Sequence, residues 1–215
     1  MVSLSRLKLA ILVAAVCLVG TPGAAERDHP AGCTPPATLT CEQLVALGYA
    51  YPYAREAGSY LFVNGAAYRC VDPLNGPPMY APVQVGSKVV TAAKLLKALG
   101  RADHIPRRRR PVIGYGSNAA VSALTRKYVA PGVPEPAVIP VTRAWLSDYD
   151  GVWSPHLAFN GAMPATIVPP PGTVVEVWIT WLDDLELRRM NQTEGVGTRR
   201  DFSSASPLTV PSTAS

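Results

Sequence analysis

A chain of 215 residues has room for one domain of ordinary size plus extra segments, and 48% hydrophobic residues are enough to pack a core. The formal charge of +5 invites a nucleic-acid reading, but charged residues make up only 16%, too sparse for a disordered or nucleic-acid-wrapping chain. Part of the excess is one run, Arg107 to Arg110, between Pro106 and Pro111. No basic helix or aromatic ladder accompanies it, so it reads as a solvated linker, and no nucleic-acid partner is expected.

At the start, Arg6 and Lys8 precede an apolar run from Leu9 to Val19, and Thr21-Pro-Gly-Ala-Ala25 follows. A positive segment, a short apolar run and small residues have the form of a signal peptide, residues 1–25, cut after Ala25. Export to a periplasmic or extracellular space is the expectation; the alternative is a cytoplasmic chain whose start codon adds a chance apolar stretch. The run is short for a bilayer, so no stable membrane span is expected once the leader is gone. Of the 4 cysteines, Cys33 and Cys41 could pair in an oxidising compartment, and Cys70 reads as a buried thiol. His29, His104 and His156 are scattered, and no Cys or His spacing resembles a zinc site.

Residues 26–110 read as an N-terminal extension. Its first part, to about residue 40, is polar, Pro-rich and loose. Cys41 to Leu47 predicts a short helix stopped at Gly48. Ser59 to Val71 predicts a β-hairpin, because Asn64-Gly65 is a strong two-residue turn signal flanked by apolar and aromatic residues. Residues 72–86 read as loop. Thr91 to Leu99 predicts a helix with Leu95, Leu96 and Leu99 on its apolar side, ended by Gly100.

The most informative stretch is Pro111-Val-Ile-Gly-Tyr-Gly-Ser-Asn-Ala119. Val112 and Ile113 end a short buried strand, and Gly114 and Gly116 allow a sharp turn. Ser117 and Asn118 are good N-caps for a helix over Ala119 to Tyr128, whose Val121, Leu124 and Tyr128 share a face. Free N–H groups at such a junction favour negative charge. Ala137 to Trp145 is β-leaning, and Asn160-Gly161 is a second hairpin turn. Val174 to Thr180 alternates, with Val175, Val177 and Ile179 on one face. Asp183 caps a helix to about Met190, acidic at its start and basic at its end, as the helix dipole prefers. Short strands with a few helices imply an α+β domain. Trp178 and Trp181 read as core, Asp148 and Asp150 as turn, and Ser154 and His156 as same-face strand neighbours without a catalytic partner.

Tyr115-Gly-Ser-Asn118 after an apolar strand resembles the opening motif of the gamma-glutamylcyclotransferase-like family. Met163-Pro-Ala-Thr-Ile-Val-Pro-Pro-Pro-Gly172 is similar to that family's Ala-Thr-Ile strand and Pro-Gly turn, and Val174 to Thr180 to the strand after it. Leu185 to Gly195 is similar to the helix and Glu-Gly corner that carry its catalytic glutamate. The match spans about residues 111–196 of a core placed at 111–202. It implies a small mixed β-barrel with helices packed outside. It also implies release of 5-oxoproline from a gamma-glutamyl compound such as glutathione, without metal or cofactor. The substrate's α-amine attacks its own γ-carbonyl. Such a cyclotransferase needs a base for the ammonium proton, donors for the carbonyl oxygen, and a folded substrate. Glu194 matches the family's glutamate and would be the base. The backbone of Tyr115, Gly116, Ser117 and Asn118 would hold the substrate. Glu194 follows a helix C-terminus, the negative end of the dipole, which suits a basic carboxylate.

The family's core continues for several strands beyond the Glu-Gly corner, usually with a tyrosine just past it. Here Gly197 to Phe202 leads into Ser203 to Ser215, a Ser/Pro/Thr/Ala tail that reads as disordered. The barrel is therefore expected either to be incomplete or to be filled by the hairpin at 59–71. The alternative function is an exported or inactive small-molecule-binding protein on the same fold.

Overall fold

A computed structural model describes residues 40–71, 78–130, 133, 135–155, 157–158 and 161–194. The leader-like segment, Cys33, His29, His156, Asn160, Gly195 and the tail lie outside the described residues.

Helix α1 spans Cys41–Tyr49 behind a reciprocal cap: Thr40 accepts from the Gln43 N–H, and the Gln43 side chain accepts from the Thr40 N–H. It runs through Gly48 rather than stopping there. Strands β1 (Tyr60–Val63) and β2 (Ala66–Arg69) form the expected hairpin. Asn64 and Gly65 take φ of 45° and 96°, the left-handed pair that a tight hairpin turn requires. The stretch read as loop holds a further strand: β3 (Pro82–Val85) pairs with β4 (Lys88–Thr91) around Gly86. Pro82 obscured it, although a proline is tolerated at the first residue of a strand. Helix α2 (Ala92–Ala98) follows, capped by the Thr91 hydroxyl.

Strand β5 is Arg110–Gly114 and helix α3 is Val121–Tyr128. Strands β6 (Val138–Ser147), β7 (Asp150–Trp153), β8 (Ala165–Val168) and β9 (Val174–Leu182) follow, then helix α4 (Asp184–Thr193). Asp148, at φ 61°, makes the turn between β6 and β7, while Asp150 begins β7 and Ser154 lies just past it. The main sheet is antiparallel and ordered β2-β1-β6-β9-β5, with β3–β4 and β7–β8 as separate hairpins. The domain is therefore α+β. Among the described residues no sheet closes into a barrel.

Period-two alternation divides the core between the two faces of this sheet. One face carries Tyr60, Phe62, Val112, Ile139, Val141, Trp178 and Leu182 and packs against Leu124 and Tyr128 of α3 and Met190 of α4. On the other face α2 and the β3–β4 hairpin cover Leu61, Val63 and Val138. There too, Ile167 of β8 packs on Ile113, Ala144, Val177 and Ile179. Trp181 lies on that second face, half-buried, and donates its indole N–H to the Thr142 hydroxyl at 2.9 Å. Cys41 is exposed and Cys70 buried, and among the described residues they form no disulfide; Cys33, the partner expected for Cys41, lies outside those residues. Among the described residues no helix is long and apolar enough to cross a membrane.

Candidate functional site

The glycine turn ends β5 as the sequence reads, but the helix start differs. Ser117–Ala119 is one turn of 3-10 helix, and α3 begins at Val121 with Ala120 as N-cap and no side-chain cap. Neither Ser117 nor Asn118 caps α3, because the 3-10 turn places Ala120 at the junction: its N–H bonds the Ser117 carbonyl at 2.9 Å. Tyr60 reaches across from β1 and donates its hydroxyl to the Ala119 carbonyl at 2.6 Å, pinning the turn to the sheet. Tyr115 packs partly buried beside Ile113 and Val177. Asn118 Oδ1 is buried and, among the described residues, has no hydrogen-bond partner.

Gly116 has a negative φ of −104°, so the left-handed freedom of glycine is not what it supplies. Its need for glycine lies in its surroundings: an added Cβ would meet the Tyr51 hydroxyl at 2.8 Å. Tyr51 comes from the extension, just past α1. Its hydroxyl accepts the Ala165 N–H at 2.7 Å, which joins the glycine loop to the first residue of β8. Its ring stacks edge-on to Tyr53, with centroids 5.8 Å apart, and tilts against Trp153 at 6.0 Å. Arg126 of α3 lies 4.4 Å over the Tyr53 ring, and Arg55 4.7 Å over Trp178. Burial pushes the Tyr51 hydroxyl above its usual range. The Ala165 N–H and Arg55 pull the other way, and Glu194 is near enough to add to the rise.

Glu194 is the C-cap of α4, its N–H bonded to the Met190 and Gln192 carbonyls. Its carboxylate pairs with Lys127 of α3, which also donates to the Thr193 hydroxyl at 3.0 Å. The side chains of Lys127 and Glu194 are 14% and 19% exposed, so this is a sheltered pair. A lysine thus answers the negative end of the α4 dipole beside the predicted base.

The opposite end of α4 holds a second cluster that the sequence reading missed. Asp183 Oδ1 accepts the Leu185 and Glu186 N–H groups, and Oδ2 accepts Arg107 at 3.1 Å. Glu186 Oε1 accepts the Val138 N–H at 2.9 Å, and Oε2 accepts the Asp183 N–H and Arg109 at 2.8 Å. Arg107 also pairs with Asp103 and Glu135, and Arg110 with Asp184 at 3.3 Å. The basic run is therefore only in part a solvated linker: Arg108 and Arg110 are exposed, while Arg107 and Arg109 are engaged with the start of α4. The Arg109 side chain is 6% exposed, because β5 starts at its neighbour and carries it beneath the start of α4. The signal was present in the sequence as a basic run matched by Asp183, Asp184 and Glu186, a set attributed to the helix dipole alone.

Burial pushes the Glu186 carboxyl up to about 7 against the pull of Arg109. Burial would raise Asp183 too, but the Glu186 N–H and Arg107 outweigh it and hold it below the usual range. Desolvation, with Arg107 beside it, lowers His104. His104, Asp183 and Glu186 offer donor atoms within 4.8 Å of one another, a set that could hold a divalent cation. Yet all four carboxylate oxygens are already engaged, and two guanidinium groups supply the positive charge an ion would bring. The arrangement is an ion-pair network that fastens α4 to β5 and β6. A cavity of about 330 Å³ lies against it, lined by His104, Arg107, Tyr128, Ala137, Glu186 and Arg189 among others, and by none of residues 115–118 or Glu194.

Comparison with protein-family models, with curated proteins and with solved structures gives no match.

Proposed function

We propose that the chain is a gamma-glutamylcyclotransferase-like enzyme that releases 5-oxoproline from a gamma-glutamyl compound, with Glu194 as base and the backbone of Tyr115–Asn118 as substrate cradle. One observation carries this reading. The glycine loop and the Ala-Thr-Ile strand, far apart in sequence, meet at the Tyr51 hydroxyl, which stands where a Gly116 Cβ would lie and accepts from Ala165. The charge of Glu194, at the end of the helix, adds a little to the rise in the Tyr51 value. In this reading the substrate ammonium competes with Lys127 for the Glu194 carboxylate and gives up its proton there. The free amine then closes on the γ-carbonyl, held at short range by the loop. The proposed fold is the family's small barrel, with the open sheet and the β7–β8 hairpin as its described part.

A second reading, an exported or inactive binding protein, is favoured by the same two contacts. Tyr51 stands against Gly116, and Lys127 already pairs the base. Incubating the purified chain with several gamma-glutamyl amino acids and with glutathione separates the two. The enzyme yields 5-oxoproline; no product with any of them leaves the binding protein. Export belongs to the proposal as well: N-terminal sequencing of secreted chain should start at Glu26, and an intact Met1 in the cytosol would overturn it.

A further inference from the structure

We infer that Tyr51, outside the family-like stretch, contacts the substrate at this site and donates its hydroxyl to the γ-carbonyl oxygen as that oxygen becomes negative. The inference rests on the cyclotransferase reading and adds a residue to it.

Three features of the geometry support it. First, the hydroxyl stands in the crook of the glycine loop, where only the missing side chain of Gly116 leaves room. Second, the hydroxyl accepts from Ala165 and, among the described residues, donates to no acceptor. An N–H bonded to the oxygen polarises the O–H and strengthens it as a donor. Burial keeps the phenol protonated, and so a neutral donor. Third, the ring is held on two sides by Tyr53 and Trp153, and Tyr53 lies under Arg126. A donor held in place before reaction needs no reorganisation when charge develops.

The step balances without another reactant. Glu194 takes one proton from the substrate ammonium, and the free amine nitrogen bonds to the γ-carbon. The carbonyl electrons move onto oxygen, where Tyr51 and the loop donate hydrogen bonds. Glu194 hands that proton to the nitrogen of the γ-amide and takes the second from the new ring nitrogen. Collapse breaks the bond between the γ-carbon and the amide nitrogen, and the leaving amine takes the second proton from Glu194 and departs as an ammonium. Tyr51 keeps its own proton throughout.

The test uses the full chain and 5-oxoproline release from gamma-glutamyl amino acids. Tyr51→Phe keeps the ring and removes the donor, so kcat should fall about 10²-fold. KM should stay within about threefold, as expected for an interaction made in the transition state. Loss of the Ala165 partner will lower Tm slightly; a merely structural role would show that change with kcat retained. Gly116→Ala presses on the hydroxyl and should cost kcat in the wild type, but little more in the Tyr51→Phe background, where the hydroxyl is gone. Wild-type kcat in Tyr51→Phe overturns the inference and leaves the cyclotransferase reading intact, as do fully additive losses in the double variant. Absence of product from the wild type overturns that reading and the inference with it.

Discussion

The two ends of α4 both set carboxylates against cations, with different numbers of partners. At the N-terminal end Asp183 and Glu186 are about 95% buried, and each meets both a guanidinium and backbone N–H groups. At the C-terminal end, about 15 Å along the helix by its rise per residue, Glu194 has one described ionic partner, Lys127. Over-determined carboxylates fix one packing, because a buried carboxylate left without its partners is costly. A carboxylate with a single cationic partner at a helix end can exchange that partner for a substrate ammonium without uncoupling other elements. The difference assigns the first end to holding the fold and leaves the second available for chemistry. Substitutions at the two ends should therefore move different observables.

The largest effect belongs to Arg109. Arg109→Met leaves Glu186 buried without its cation, and breaking one side of a buried pair costs about 3–5 kcal/mol. The urea midpoint should drop accordingly at pH 8. At pH 5.5 the loss should shrink, because Glu186 can then take up a proton. An unchanged midpoint at pH 8 would mean that α4 is not fastened through this pair. At the other end, Glu194→Gln should lower turnover about 10²–10⁴-fold while the midpoint moves less than in Arg109→Met, because the amide keeps an oxygen for Lys127, which also donates to Thr193. Similar stability losses at both ends would erase the contrast.

Much of this was legible in the sequence, and the misses have physical causes. Asn64-Gly65, the leucines before Gly100, the Asp183 cap and the alternation of Val175, Val177 and Ile179 are local signals, and each produced its element. The pairing of Arg107–Arg110 with Asp103, Glu135 and the start of α4 joins segments up to 77 residues apart, so no window along the chain contains it. Tyr51 escaped for the same reason: its partners Gly116 and Ala165 lie in other elements, and a tyrosine in a Pro-flanked segment carries no periodic signal. The motif residues of the loop and of Glu194 were readable as a pattern. Lys127, which decides what Glu194 touches, was only a basic residue at the end of a helix.

A pH titration sharpens the contrast next. Glu186 binds its proton more tightly in the folded chain, near 7 against 4.5 unfolded. Its contribution to stability is therefore full below about pH 4.5 and is lost as pH rises through 7. His104 runs the other way: its folded value is depressed, so its contribution is present above 6.5 and falls away on acidification. Asp183 behaves like His104, but below 3.8. Arg109 faces the same cluster, as do Arg107 and Tyr128, both with values pushed up, so neither of these two changes charge across the window. Thermal melts of wild type should contain a component that weakens between pH 5 and 7.5, and Glu186→Gln should lack it. The same component in both proteins would place the titrating group elsewhere.

The smallest expected effect separates charge from hydrogen bonding at the start of α4. Asp183→Asn keeps an oxygen for the Leu185 and Glu186 N–H groups and removes only the charge opposite Arg107. Arg107 still has Asp103 and Glu135, and its side chain is 25% exposed, so the loss should be about 0.5–1 kcal/mol. Asp183→Ala removes the cap as well, which adds about 1 kcal/mol and leaves the two N–H groups it served without a side-chain acceptor. Equilibrium urea unfolding of the two variants reads the difference directly. If Asn costs as much as Ala, the ion pair with Arg107 holds the helix start and the cap is incidental. If Asn is neutral and Ala is not, the cap holds it, and Arg107 acts mainly to neutralise the surrounding acids. The geometry predicts an intermediate Asn, because one carboxylate oxygen serves the backbone and the other serves the guanidinium.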